Sequence, residues 1–136
     1  MKKHGILNSD IASVLSYLGH KDQILIADAG LPVPDHVLRI DLAVKPGLPS
    51  FIDVLDAVLD DMYVEAYIIA EEIHSHNPSM AKAIDQRLST RDKKEVSHES
   101  FKELSHDVKA VIRTGEVSPY ANVILQSNVF FAEGAE

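Results

Sequence analysis

The sequence contains no cysteine, which excludes disulfides, thiolate metal sites and a cysteine nucleophile. No apolar run approaches the ~20 residues that a membrane-spanning helix needs. Positive charge is scarce: 13 Lys and Arg stand against 21 Asp and Glu, a net charge of -8. Such a surface repels phosphate backbones and anionic lipid, so neither a nucleic-acid partner nor a membrane is expected. The opening Met1-Lys2-Lys3-His4-Gly5 is followed by neither a long apolar stretch nor a small-residue cleavage site, and no signal peptide is expected. The expectation is a soluble, cytoplasmic protein. Phosphate-cradling glycine loops are missing too, since Gly115-Glu116 has neither the second glycine nor the lysine. There is no Gly-x-Ser-x-Gly elbow.

What remains is 136 residues, 46% hydrophobic and 25% charged, the balance of one globular domain spanning 1–136. No repeat, low-complexity stretch or linker divides it. Asn8 or Ser9 can cap a helix whose apolar residues Ile11, Val14, Leu15 and Leu18 share one face, with Gly19 as its stop. Gln23 to Ala27 reads as a buried strand opening into a loop at Asp28-Ala29-Gly30, and Val37 to Leu42 as a second strand. Ser50 begins a helix to about Met62 with Ile52, Leu55, Val58, Leu59 and Met62 as its buried stripe. Asp53, Asp56, Asp60 and Asp61 are most simply its exposed face.

Further strands are expected at Ala66–Ala70, Lys93–Ser97, Val108–Ile112 and Asn122–Phe131. Asn77-Pro78 opens a helix towards Leu88, and Ser100 with Glu103 forms a capping box for a short one. Strands alternating with helices give an α/β fold: a single three-layer α/β/α domain with a mostly parallel or mixed sheet. The short connection into the last strand allows a local antiparallel pairing. Ligands of such sheets sit beyond the carboxyl ends of the strands, which directs attention to Asp28 and to the loop around Tyr120.

Several residues carry possible chemistry. His20 is either a general acid or base or a histidine interacting with a helix dipole. Asp28 at a strand end suits hydrogen bonding to a ligand hydroxyl, or a plain turn. Glu71, Glu72, His74 and His76 suggest metal ligands, with Glu71 and His74 at Glu-x-x-His spacing, but the di-metal use of that motif needs two copies. The segment is therefore read as a solvated loop, and no metal site is expected. The loop from Arg113 to Asn122 joins two strands and carries a phenol and an amide two residues apart. These can address vicinal sugar hydroxyls, or the loop can be a turn built around Pro119.

The words of the sequence go further. Lys2-Lys3-His4-Gly5-Ile6-Leu7-Asn8, Leu18-Gly19-His20 and Ala27-Asp28-Ala29-Gly30-Leu31-Pro32-Val33-Pro34 strongly resemble the D-ribose pyranase family. So do Arg39-Ile40-Asp41-Leu42, Ser97-His98-Glu99 and the loop Arg113 to Asn122. The resemblance covers nearly the whole chain in order and spacing. It implies a mutarotase-like isomerase that interconverts the pyranose and furanose forms of D-ribose without a cofactor, for ribose catabolism. His20 matches the family's catalytic histidine. Asp28 and His98 match sugar-binding positions, as do Tyr120, Ala121 and Asn122 of its Tyr-Ala-Asn segment. Ser118 stands where threonine is common, and Ala132-Glu133-Gly134-Ala135-Glu136 extends past the usual ending. Fucose mutarotases share the outline, so another sugar such as L-fucose is an alternative, as is a non-enzymatic sugar-binding or sensing module. The resemblance also implies a homo-oligomer, a decamer. Candidate contacts are the Leu31-Pro32-Val33-Pro34 loop and the apolar segment through Val129, Phe130 and Phe131.

Overall fold

Asn8, not Ser9, caps the first helix: its side-chain oxygen accepts the Ile11 amide hydrogen at 2.9 Å and α1 runs Ser9–Tyr17. The computed structural model describes residues 1–131. The tail from Ala132 to Glu136, read above as an extension, lies outside them.

Among the described residues, β1 (Gln23–Ala27), β2 (Leu38–Asp41), β3 (Val64–Ala70), β4 (Asp92–Val96), β5 (Ala110–Arg113) and β6 (Val123–Ser127) form one sheet. Its order is β2-β5-β1-β6-β3-β4. β6 is antiparallel to both neighbours, β1 and β3, while the remaining pairings are parallel. The sheet is therefore mixed. The antiparallel strand sits inside it, because the return from β5 steps over β1 before pairing.

Alternation along the strands fills two cores. On one face Ile24, Ile26, Ile69, Ile112, Val123 and Leu125 meet the helices α1, α2 (Phe51–Leu59), α3 (Ile73–His76) and α4 (Pro78–Arg87). On the other, Leu25, Val111, Ile68 and Ile124 meet Phe101 of α5 (His98–Leu104) and the 31–37 loop. Three layers result, as expected. Phe51, Leu55 and Val58 of α2 are fully buried, each contributing on the order of 1.5–3 kcal/mol of apolar transfer. Edge strand β4 is charged and exposed from Asp92 to Glu95, a pattern that discourages pairing with further strands.

Several boundaries differ from the sequence reading. α2 ends at Leu59, with Ser50 as its cap, and the four aspartates from Asp53 to Asp61 are exposed as expected. The cap of α5 is Ser97, whose hydroxyl accepts the Ser100 amide hydrogen at 3.1 Å, so the box on Ser100 and Glu103 does not form. Asn77 precedes Pro78 but makes no side-chain cap bond. The expected loop after β3 contains the single turn α3. β6 stops at Ser127. Leu31 is buried in its own chain's core, whereas Phe130 and Phe131 are exposed beside Tyr63.

Candidate functional site

The carboxyl ends of β1, β3, β4 and β5 and the start of antiparallel β6 share one edge of the sheet. Five of the six residues singled out in the sequence lie there. Asp28 leaves the end of β1 and accepts the Gly30 and Leu31 amide hydrogens through Oδ1 at 3.0 and 2.9 Å. The turn reading of Asp28 is therefore correct, but it uses only one oxygen. Oδ2 accepts a hydrogen from Asn122 Nδ2 at 3.1 Å, and the Asp28 amide donates to Asn122 Oδ1 at 2.8 Å. Asn122 is fully buried, so this reciprocal pair fixes its amide orientation.

Ala121, also fully buried, anchors the neighbouring Tyr120, whose φ of 58° lies in the left-handed region. A bulky residue rarely sits there without being held. Its ring meets the edge of His98 at a centroid distance of 5.0 Å and tilts against His76 at 5.4 Å. The amide of His98 donates to both oxygens of Glu72, at 3.0 and 3.1 Å. Its Nδ1 is buried and has no hydrogen-bond partner. That orphaned atom, the second Asp28 oxygen and the Tyr120 hydroxyl give one edge donors and acceptors suited to a polyhydroxylated ligand. A cleft of about 440 Å³ borders Gly5–Asn8 and α2, but none of the six candidate residues lines it.

The preceding loop is pinned to the start of α2. Gly115 donates its amide to Pro49 O at 2.8 Å, and a Cβ there would stand 2.5 Å from Leu48 O, so only glycine fits. Burial raises the Glu116 carboxyl, but bonds from the Phe51 amide and from Ser118 outweigh it and hold the group below the ordinary carboxylate range.

His20 is elsewhere. It precedes β1, at the opposite edge, and its Nε2 lies 2.6 Å from Glu65 Oε1 near the start of β3. Glu65 also accepts Gln126 Nε2 at 2.6 Å and Lys21 Nζ at 3.3 Å. The Gln126 bond, with His20 and Lys21, outweighs burial and lowers the Glu65 pKa. The helix-dipole reading of His20 fails, because α1 already ends at Tyr17 and the imidazole engages Glu65 instead.

The Glu71–His74 spacing gathers nothing around a common point. His74 bonds to Glu95, and no group of three or more metal-ligating side chains forms among the described residues. Sequence reasoning overlooked Glu65 as the partner of His20, and Asn77 and Glu116 as supports of the Tyr120 loop. It considered Glu72 only as a metal ligand. Glu65, Glu72 and Asn77 act across long sequence separation, as Glu116 does towards Phe51, so no local signal marks them.

A family model described as the RbsD / FucU transport protein family matches residues 1–130. The chain belongs to that family. Its relatives include a D-ribose pyranase of Bacillus cytotoxicus, 55% identical over 131 residues, covering 96% of this chain and 100% of the relative. A D-ribose pyranase of Bacillus cereus is 56% identical over the same shares. Among solved structures, Bacillus subtilis RbsD complexed with D-ribose superposes with a TM-score of 0.94 at 56% identity, covering 96% of this chain and all of that one. The RbsD / FucU fold extends to a fucose mutarotase of Streptococcus pneumoniae in complex with L-fucose, at TM-score 0.76 and 26% identity over 94% and 99% of the two chains.

Proposed function

We propose that this protein is a cofactor-independent isomerase that interconverts the pyranose and furanose forms of D-ribose. The observation that carries the reading is end-to-end identity of 55–56% with relatives named D-ribose pyranase. The polar cluster of Asp28, His98, Tyr120 and Asn122 supports it from this chain's own geometry. Ribose is favoured over fucose because the ribose-bound relative is 56% identical and the fucose-bound one 26%. The whole chain, 1–136, works as one domain, in the cytoplasm, supplying furanose to ribose catabolism. No helix among the described residues is long and apolar enough to cross a membrane.

The reaction is proton transfer around a hemiacetal. Opening breaks the C1–O5 bond as a proton reaches O5 and another leaves the anomeric hydroxyl. The free aldehyde then rotates to present O4. Closure forms the C1–O4 bond, with a proton leaving O4 and one returning to the carbonyl oxygen. An imidazole can serve each direction in turn near neutral pH, contributing ~10²–10⁴-fold. His20 takes that role, and Asp28, His98 and Tyr120 hold the hydroxyls. Asn122 locks Asp28 while Ala121 backs the tyrosine. Binding in one orientation removes much of the entropy of the rotating chain.

His20 cannot reach the other five within one chain, because β1 separates them. The reading therefore assembles each site from two copies, in a homo-oligomer for which a decameric ring is the expected form. Exposed Phe130 and Phe131, beside Tyr63 and near the His20 edge, are the apolar contacts that offset like-charge repulsion between acidic chains. Magnetization-exchange NMR on free ribose, with fucose in parallel, tests the function. Catalytic amounts of protein should accelerate pyranose-to-furanose transfer for ribose; a protein that binds ribose without acceleration is a sugar-binding module instead.

A further inference from the structure

Tyr120 occupies a left-handed backbone position, with φ of 58°, where a non-glycine residue is strained. Something must hold it, and the hydrogen bonds identify what does. Glu116 Oε1 accepts the Phe51 amide hydrogen at 3.0 Å, tying the loop to the first residue of α2. Glu116 Oε2 accepts the Ser118 hydroxyl at 2.9 Å and the Ser118 amide at 3.3 Å. The same hydroxyl receives Asn77 Nδ2 at 3.0 Å, and that nitrogen also donates to Pro119 O at 2.8 Å. Asn77 adjoins His76, whose ring leans on Tyr120. A continuous chain thus runs from α2 through Glu116, Ser118 and Asn77 to the two residues before the tyrosine.

Each link is used in one direction only. Ionised Glu116 can only accept, Ser118 Oγ gives its single hydrogen to Glu116, and its lone pair takes the Asn77 hydrogen. A carboxylate at position 116 therefore sets the polarity of the whole chain. Asn77 serves the loop through Nδ2, and its side-chain oxygen makes no cap bond at the start of α4.

We propose that Glu116 is a positioning residue for the isomerisation, acting through Ser118 and Asn77 to set Tyr120 against His76 and His98. It touches no sugar. The proposal rests on the reading of Tyr120 as a sugar-binding residue, and it adds a residue to which neither the resemblance nor the comparisons give a role. Glu116→Gln is nearly isosteric, but whichever way its amide lies, an NH2 faces either the Phe51 amide or the Ser118 amide and hydroxyl, and each side needs an acceptor. Ser118→Ala removes the middle link, and Ser118→Thr keeps it.

The test combines saturation kinetics by exchange NMR with the ring proton resonances of His76 and His98. Glu116→Gln and Ser118→Ala should each raise the half-saturating ribose concentration about tenfold, as a misplaced binding group does, with the limiting rate changed about twofold or less. Ser118→Thr should restore the value lost in Ser118→Ala. In a Tyr120→Ala background, Glu116→Gln should add nothing, because the group it positions is gone. The imidazole resonances should move in Glu116→Gln and not in Ser118→Thr. A folded Glu116→Gln protein with unchanged half-saturation, or losses that multiply with Tyr120→Ala, overturns the proposal and leaves Glu116 a structural residue. If the wild-type protein itself gives no exchange, the functional reading fails instead. The ring resonances then still decide the positioning claim, and their failure to move overturns it.

Discussion

His20 and Asp28 stand at opposite ends of the same strand: the imidazole precedes β1 and pairs with Glu65, while the carboxylate follows β1 and pairs with Asn122. A five-residue strand places roughly 16 Å between them. An acid/base group and the residues that hold its substrate must come within hydrogen-bond reach. The separation therefore bears directly on how the site is completed.

Replacing His20 with alanine should abolish accelerated ribose exchange while leaving the fold intact, since its side chain is 46% exposed. Exchange NMR alongside circular dichroism checks this. Near-normal exchange in a folded His20→Ala protein removes the residue from the acid/base role.

Tyr120→Phe deletes one hydroxyl and keeps the ring packed between His76 and His98. The half-saturating ribose concentration should rise roughly 2- to 12-fold, the equivalent of 0.5–1.5 kcal/mol for a neutral hydrogen bond. Thermal stability should change little. An unchanged concentration dependence means that the hydroxyl does not touch sugar.

Asn122→Ala should behave differently, because Asn122 is buried and both donates to and accepts from Asp28. Removing it strands the Asp28 amide, at a cost of about 1–3 kcal/mol in stability. Urea unfolding should show this loss together with weakened ribose saturation. Loss of saturation with full stability would contradict the reciprocal pairing.

Glu65 supplies a pH dependence. Its pKa is lowered from the ordinary 4.5, so the folded state favours the carboxylate more than the unfolded chain does. The resulting stabilisation is fully present above about pH 4.5 and is lost as pH falls through the lowered value. Glu65→Gln should therefore be less stable than wild type at neutral pH, and the gap should narrow in acid. Parallel denaturation curves at both pH values check the sign; a gap that widens in acid contradicts it.

Much of this fold was legible in advance because local signals and burial agree. The stripe of α1, the fully apolar run Ile24–Ala27 and the Ser50 cap each specify their element without help from distant residues. The failures share a cause. Asn77 and Ser100 carry the right residue type for a cap, but Asn77 is taken by the Tyr120 loop and Ser100 follows a better cap at Ser97. Asp28, Tyr120 and Asn122 stood out at strand ends, His98 and Ala121 came only through resemblance to a family, and the structure brings all five to one edge. The distance between His20 and Asp28 was implicit in the expected strand Gln23–Ala27 that lies between them; the gathering of His98 and Tyr120 at the Asp28 end was invisible, because strand direction and order decide it and periodicity specifies neither.

Mixing an inactive protein with a weakened one tests the account most directly. His20→Ala lacks the acid/base group, and the Tyr120→Phe/Asn122→Ala protein lacks the tyrosine hydroxyl and the lock on Asp28 at the opposite edge. If each site takes His20 from one copy and the remaining residues from another, co-expressed or reassembled mixtures contain some sites with no substitution. At ribose well below saturation, exchange NMR should then show interconversion in the mixture faster than the average of the two parents. Stable mixed oligomers that give only the average of their parents would contradict the shared site, and monomers by light scattering would remove the assembly on which it depends.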